Sequence, residues 1–553
     1  MSRTKGVPRG GMRIDGATRK GMEIFTQMPS MDIPGSWCNL SHPHSTSFDM
    51  NYMIPILCEE VVPGDRFNFS VEGLLRMAPM LAPVMANIDI KYYWFFVAER
   101  TLWANQDDWA AHIMGASGDE TLPADPGWNY FTLVDGAVPS GTIGNYMGLN
   151  PPVADVEIQV KCAPIAGFLK VYDDYFRSEQ LQPELFTPLV PGEQTIYAAV
   201  ADFTPPKISW MHDYFTSALP TPQVGLPVLI PLTNGTNSSI VFNPNASAFN
   251  FGVITDSNGT SIPGADIPLI SDSGAFRADT AGGDVDAFYD PKGSLFVDDA
   301  NLNSNAATIP DLRLAFRMQS YFEQQMRNGS RLNEWLWSMF NVMSSDARLQ
   351  RAEYLSMSTH KMAISQVLAT ANTLVDTAET AVGQMAGHGI SYGGGRRDEF
   401  VAEEHGYLYC ICTVMPETKY GQGISRMWTR ENYLDYLIPM FSNVNEQEIK
   451  RKEIHAGLTQ AQLEETFGYI PRYSEYKFRN GRFSGDFQTD LDYWHLGRIL
   501  APEDIPYLTG AFIAGDASTR IFAVEEGQHI LAEFYFNISA RRPVAKFGVP
   551  TLM

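Results

Sequence analysis

Between Arg66 and Met77, apolar and polar side chains alternate one by one. Phe67, Phe69, Val71, Leu75 and Met77 share one face with Gly73, and Arg66, Asn68, Ser70, Glu72 and Arg76 share the other. A period of two over twelve residues predicts a half-buried β-strand. Near the end of the chain, Ile530, Ala532, Phe534, Phe536 and Ile538 alternate in the same way with His529, Glu533, Tyr535, Asn537 and Ser539. Two further runs, IDIKYYWFFVAE (88–99) and EHGYLYCICTVMP (404–416), are rich in β-formers and apolar at nearly every position. Such strands have no wet face and need cover on both sides. For Tyr92 to Val97 the expected covers are the main core on one side and a helix or a neighbouring subunit on the other.

Helical spacing appears between these strands, in LWANQDDWAAHIM (102–114), GFLKVYDDYFRSEQL (167–181) and DLRLAFRMQSYFEQQMRNG (311–329). In the last, Leu314, Met318, Tyr321 and Phe322 fall on one face. RLNEWLWSMFNV (331–342) reads as the start of another helix, and NEQEIKRKEI (445–454) is also helix-like. Strands far apart in sequence, with long excursions between them, predict a mainly β barrel or sandwich carrying large insertions. No fixed-period repeat and no βαβ alternation is visible.

One stretch, 221–310, breaks the pattern. Over 231–310 there are nine Asp, no Glu, and only Arg277 and Lys292 as cations, for a net charge of −7. A compact domain rarely needs a structureless loop this long. The segment is therefore a functional insertion, a small appended domain or a disordered stretch. Short β-like pieces, SIVF (239–242) and FGVIT (251–255), favour a turn-rich surface protrusion.

The chain has 553 residues, 44% of them hydrophobic and 19% charged, which excludes disorder throughout. About 150 residues per domain would give three or four domains, although large β proteins often keep long chains in one. The cysteines Cys38, Cys58, Cys162, Cys410 and Cys412 are odd in number and scattered, so reduced thiols and maturation in a cytoplasm are expected. The apolar runs, such as Tyr92 to Ala98, are far too short to span a membrane, and the basic N-terminus lacks the apolar stretch of a secretory signal.

The net charge of −23 is unevenly spread. Residues 1–20 hold Arg3, Lys5, Arg9, Arg13, Arg19 and Lys20 against Asp15, a net +5, which leaves −28 on the rest. With glycines and almost no large apolar side chains, residues 1–22 read as a flexible basic arm. It either binds nucleic acid or another anion, or is simply a solvated terminus.

Catalytic signals are weak. His42-Pro43-His44 has no third ligand at a recognisable spacing and reads as a polar loop. No HExxH, GxSxG or Walker pattern occurs. Tyr392-Gly393-Gly394-Gly395-Arg396-Arg397 could cradle a phosphate, but a mobile loop is the better reading. Asp299-x-Asn301-x-Asn303 opens like a calcium loop, yet Ser304 and Pro310 exclude an EF-hand. The acid pairs Asp107-Asp108, Asp173-Asp174 and Glu403-Glu404 show no convergence on a cleft. Sequons at Asn68 and Asn537 fall in predicted strands, and those at Asn234, Asn237, Asn245, Asn258 and Asn328 read as turn composition. No enzyme, metal site or cofactor is expected; a large acidic β-rich chain of this kind binds or builds.

An ordered set of segments resembles the major capsid protein of gokushovirus-type microviruses (Microviridae), small icosahedral single-stranded DNA phages. It starts with NLSHPHSTSFDMNYMIPILCEEVVPGD (39–65), which carries Ser41-His42, Ser47-Phe48-Asp49, Pro55 and Pro63-Gly64-Asp65. NIDIKYYWFFVAERTLW (87–103), SSDARLQRAEYLS (344–356) and EEHGYLYCICTVMPETKYGQGISRMWTR (403–430) follow. FGYIPRYSEYKFRNGRFSGDF (467–487), LDYWHLGR (491–498) and KFGVP (546–550) complete the set. The matches are collinear from roughly 40 to 550, apart from 221–310. One departure is Ala352, where the family is expected to have Pro before Glu353.

The resemblance implies an eight-stranded viral jelly-roll β-barrel with long helical and loop insertions. Residues 23–220 and 311–553 would form the jelly roll, and 221–310 a protrusion near the three-fold axes. It also implies self-assembly into a small T=1 shell around single-stranded DNA, in virions assembled in a bacterial cytoplasm. The basic arm would touch packaged DNA. A small basic DNA-packaging protein, other virion proteins and a host surface receptor would be partners. The alternative is a β-rich phage receptor-binding or decoration protein.

Overall fold

The computed structural model describes residues 35–114, 126–223, 350–368, 385–442, 446–501, 507–524 and 526–546, together with short strands between 240 and 380 and a helix at Ile309–Asn328. The protein is mostly β. It divides into a unit of residues 1–222 and 328–553 and a second unit, 223–327.

In the larger unit the strands are β1 Ser36–Asn39, β2 His42–Phe48, β3 Ile54–Val61, β4 Arg66–Met77, β5 Ile88–Ala98, β6 Asn129–Leu133 and β7 Ile158–Lys161. They continue with β8 Glu353–Lys361, β9 Ala363–Leu368, β10 Met385–Gly394, β11 Asp398–Val401 and β12 Gly406–Pro416. The last are β13 Glu446–Lys450, β14 Thr466–Pro471 and β15 Ile530–Arg542. Its main helices are α1 Gln106–Met114, α2 Ala163–Val171 and α3 Thr195–Ala201. In the second unit, short strands pair locally, as in Leu269–Asp272, Ala275–Thr280 and Gly283–Asp286, and Ile309–Asn328 forms α4. Of the predicted apolar face of α4, Leu314, Met318 and Tyr321 are exposed and Phe322 is half-buried.

Two antiparallel sheets form the scaffold. In the first, the order is β2, β15, β4, β10, with β9 beyond β10. β1 continues the β2 edge in the same register on β15, and β11 continues the β10 position on β4. In the second, the order is β8, β5, β12, β3. The alternation in β4 and β15 decides their inward faces. Phe67, Phe69, Val71, Leu75, Phe534, Phe536 and Ile538 are all buried between the sheets. Phe69 lies 4.4 Å from the Trp94 ring and Phe536 meets Trp94 edge-on.

The doubly apolar strands are covered on both sides, as their composition requires. Tyr92, Trp94 and Phe96 of β5 and Leu408, Cys410 and Cys412 of β12 enter the inter-sheet core. Phe95, Val97, Tyr407, Tyr409 and Ile411 enter a second core built with Ile165, Phe168 and Leu169 of α2. Pro164 suits the first turn of α2, where its missing N–H costs nothing. The helix expected over 167–181 therefore begins earlier. It also ends earlier, passing into a single π turn at Tyr172–Phe176. The helix expected over 102–114 is a 3-10 turn, Glu99–Leu102, followed by α1.

Three other expectations are corrected. NEQEIKRKEI is not helical: Glu446–Lys450 is β13, followed by a 3-10 turn at Arg451–Glu453. Pairing with the apolar strand β14 overrides the helix preference of Glu, Gln and Lys, with Gln447 and Ile449 turned inward. Tyr392 to Gly394 is not a mobile loop but the end of β10, paired with Leu74, Gly73 and Glu72. A side chain on Gly393 would run into the His360 imidazole of β8, so the glycine permits close strand approach. His42-Pro43-His44 is not a loop either; it opens β2 and pairs with Phe536, Tyr535 and Phe534. RLNEWLWSMFNV and the Asp299–Asn303 segment lie outside the described residues.

Candidate assembly surface

The predicted nucleic-acid residues Arg3, Lys5, Arg9, Arg13, Arg19 and Lys20 lie outside the described residues. Among the described residues, no three His, Cys, Asp or Glu side chains gather as metal ligands. His42 and His44 each direct Nδ1 at a backbone carbonyl, of Leu40 and Ile56 respectively. The acid pairs serve the fold. Asp173 accepts the N–H groups of Leu185 and Phe186, and Asp174 accepts that of Ala352. The proline expected at 352 would lack this N–H. Glu404 pairs with Arg100 at 2.9 Å, and Asp108 accepts from the Asn105 amide.

The feature that stands out is a strap, residues 424–442, of which only the first part falls in the segment 403–430 that carries the family resemblance. It has neither the period of a strand nor that of a helix and folds as three 3-10 turns: Arg426–Trp428, Tyr433–Asp435 and Pro439–Phe441. The Asp435 carboxylate accepts the N–H groups of Asn432 and Glu431, at 2.9 and 3.0 Å, and fixes the middle turn. Those bonds hold the Asp435 carboxyl below its usual range. Gly423 roots the strap under the chain at Glu453; a side chain there would fall on the Glu453 carbonyl. The Ile424 N–H donates to Lys452 O at 2.9 Å.

A polar network bolts the strap to the β13–β14 hairpin. Arg426 donates to Glu448 O at 2.7 Å and pairs with Glu453 at 3.5 Å and Glu475 at 3.9 Å. Arg430 pairs with Glu475 at 3.5 Å and stacks 4.5 Å over the Tyr476 ring. Arg472 donates to Leu434 O at 3.0 Å, and the Tyr473 hydroxyl accepts the Ile438 N–H. Gln447 donates to Glu475 at 2.7 Å while accepting the Tyr473 N–H. Arg426, Arg430 and Asp435 thus turn toward the subunit, Glu431 and Asn432 stay at the surface, and the large apolar side chains face out. Trp428, Tyr433 and Met440 are 75%, 72% and 77% exposed, and Met427 and Tyr436 are about half exposed. This inversion of the usual rule marks an interaction surface.

Burial raises the Glu453 carboxyl above its usual range, against the pull of Arg426, the Lys450 N–H and the Tyr214 hydroxyl. Burial does the same to Glu59, Asp65, Glu99 and Asp173. A carboxyl raised in the folded state keeps a proton that the unfolded chain has lost. Above the ordinary values of 3.8 and 4.5, the folded subunit therefore binds more protons, and its stability falls as pH rises through the raised values. The depressed Asp435 and Glu448 oppose this only at lower pH, where they lose stability as they protonate. Burial lowers the His495 imidazole, which works the other way below its ordinary 6.5, so the carboxyl effect is read from a variant rather than from the wild type alone. Glu453→Gln should gain melting temperature relative to the wild type as pH rises above 4.5; a difference between the two that does not change with pH contradicts the assignment.

A two-sheet scaffold with an outward apolar strap is compatible with a protein that builds assemblies. The comparisons agree. A family described as capsid protein (F protein) matches residues 26–552. The capsid protein VP1 of Bdellovibrio phage phiMH2K is 32% identical over 547 residues, covering 96% of this chain and 98% of that protein. The VP1 capsid proteins of Chlamydia phage 1 and Spiroplasma virus 4 are 29% and 25% identical, again over 96% of this chain and 97% of each relative. The chain belongs to this family of microvirus capsid proteins, whose members are structural proteins and not enzymes.

Proposed function

We propose that this capsid protein is the repeating subunit of a small T=1 icosahedral shell that encloses single-stranded DNA, and that its two sheets are the faces of an eight-stranded viral jelly roll. The strand order carries the reading. The chain alternates between sheets from β2 to β5, and again from β8 through β10 and β12 to β15. That is the double Greek-key order of a jelly roll. Coverage of the VP1 relatives almost end to end supports the shell. The subunits assemble in a bacterial cytoplasm, with the basic arm inward on the DNA and a small basic packaging protein and other virion proteins as partners. Electron microscopy of the purified, expressed chain tests this: uniform closed shells are expected. Small trimers only would favour a receptor-binding or decoration protein.

The 221–310 insertion is the proposed host-receptor element. It lies largely within the second unit, whose sparse cations and many short polar residues supply little core. Replacing about 230–305 with a short linker should leave a folded subunit, because loop closure depends only weakly on length. Shells are expected to form while attachment to host cells is lost. Failure of the deleted subunit to fold would place the segment inside the barrel and overturn this role.

A further inference from the structure

We infer that the strap 424–442 is a contact between copies of this chain. The inference rests on the capsid reading and names the surface through which one subunit grips another. Its first support is area. Large side chains offer about 150–250 Å² each, so the exposed parts of the strap present roughly 600–1,000 Å² of apolar surface. That exceeds the ~300–600 Å² of the largest patch on a typical monomer and matches the ~800 Å² per partner of a standard interface.

Charge decides the occupant. The protein carries −23, so two copies repel over most of their surfaces. The strap holds no Lys, and its Arg426 and Arg430 are answered by Glu453 and Glu475. Its Asp435 is answered by backbone N–H groups. Glu431 is the one charged side chain of the strap left exposed, so two acidic subunits can approach over it with a single carboxylate per copy to accommodate. A polyanion such as DNA would instead need uncommitted cations, and the strap's arginines are committed. Trp, Tyr, Met and Arg are also the residue types enriched at interface centres. The ordering cost of binding is low because the network already fixes the turns.

The test uses the full chain. Trp428→Ser, Tyr433→Ser and Met440→Ser together remove the most exposed anchors and leave the network intact. The variant subunit should keep its wild-type melting temperature, while the concentration needed for shell assembly rises at least tenfold. In wild-type shells, Met427 and Met440 should oxidise far more slowly under hydroxyl-radical footprinting than in dissociated subunits. This measurement stands even if the variant misfolds. Wild-type assembly by a folded variant overturns the inference, as does equal oxidation of Met440 in shells and free subunits. Normal assembly combined with lost binding of a thirty-residue oligo-dT would assign the strap to nucleic acid and also overturn it. If the wild type forms only small oligomers that protect Met440, the shell reading fails and the copy contact stands. If no oligomer protects it, both fail.

Discussion

Replacing Phe95 by Ala is expected to destabilise the subunit by about 3–5 kcal/mol, the range for emptying a well-packed aromatic site. Phe95 is 1% exposed and sits in the centre of β5, with β12 on one side and β8 on the other. Its ring meets Tyr175 at 5.0 Å, Tyr354 at 5.7 Å and Phe176 at 6.0 Å. Those neighbours come from the turn after α2 and from β8, so the cavity would open where three elements join. Tyr175 donates to Ala352 O, and Asp173 of the same turn accepts the N–H groups of Leu185 and Phe186. Tyr175 and Tyr354 are themselves 41% and 47% exposed, so the cavity can partly close, which favours the lower part of the range. Urea denaturation of the isolated subunit measures it. Tyr535→Ala, on the exposed face of β15, should change stability by under about 0.5 kcal/mol. A Phe95→Ala midpoint equal to that of Tyr535→Ala would show that the second core does not bear on stability.

Four strands of the two sheets, β4, β5, β12 and β15, were legible because burial imposes their pattern. β4 and β15 have one core face, and a period of two follows directly. β5 and β12 have two covered faces, and their unbroken apolar runs say so before any helix is seen. Other segments were misread where local chemistry and tertiary context disagree. NEQEIKRKEI has the composition of a helix, but only Gln447 and Ile449 matter to β14, and two inward side chains make too short a signal to read. The glycines of 392–397 look like looseness in sequence, whereas Gly393 answers the imidazole of His360, a residue 33 positions away. The strap was illegible for a different reason. Its Trp, Tyr, Met and Leu side chains have the composition of a core. Only the inward network of Arg426, Arg430, Glu453 and Glu475 turns them to solvent, and those partners lie up to 49 residues apart. The absence of either regular period across 424–442 was the one available sign.

Deleting residues 2–20 is expected to leave shells that close but contain little DNA. The subunit without its arm carries −28, so a shell wall built from it repels a polyanion. Arg3, Lys5, Arg9, Arg13, Arg19 and Lys20 give the arm +5 over twenty residues, and such contacts go to phosphates rather than base edges. Its attraction should weaken steeply with salt as counterions are released. The strap does not share this role, since its cations are already paired within the subunit. The fraction of DNA-filled particles, separated by density and compared between the truncated and full-length chains, measures the effect; a several-fold drop is expected. Normal filling of truncated shells, or protease removal of the arm from intact particles, contradicts an interior role. Magnitude then limits what the arm does. Roughly sixty arms would supply about +300, against thousands of phosphates at about one charge each. The arm can therefore tether the genome to the wall but cannot neutralise it. The remaining countercharge has to come from a separate source, and a small basic packaging protein, polyamines or metal ions would each supply it. Full-length shells purified from such components should accordingly hold less DNA than virions do, and adding the basic protein back should raise the filled fraction more than lengthening the arm.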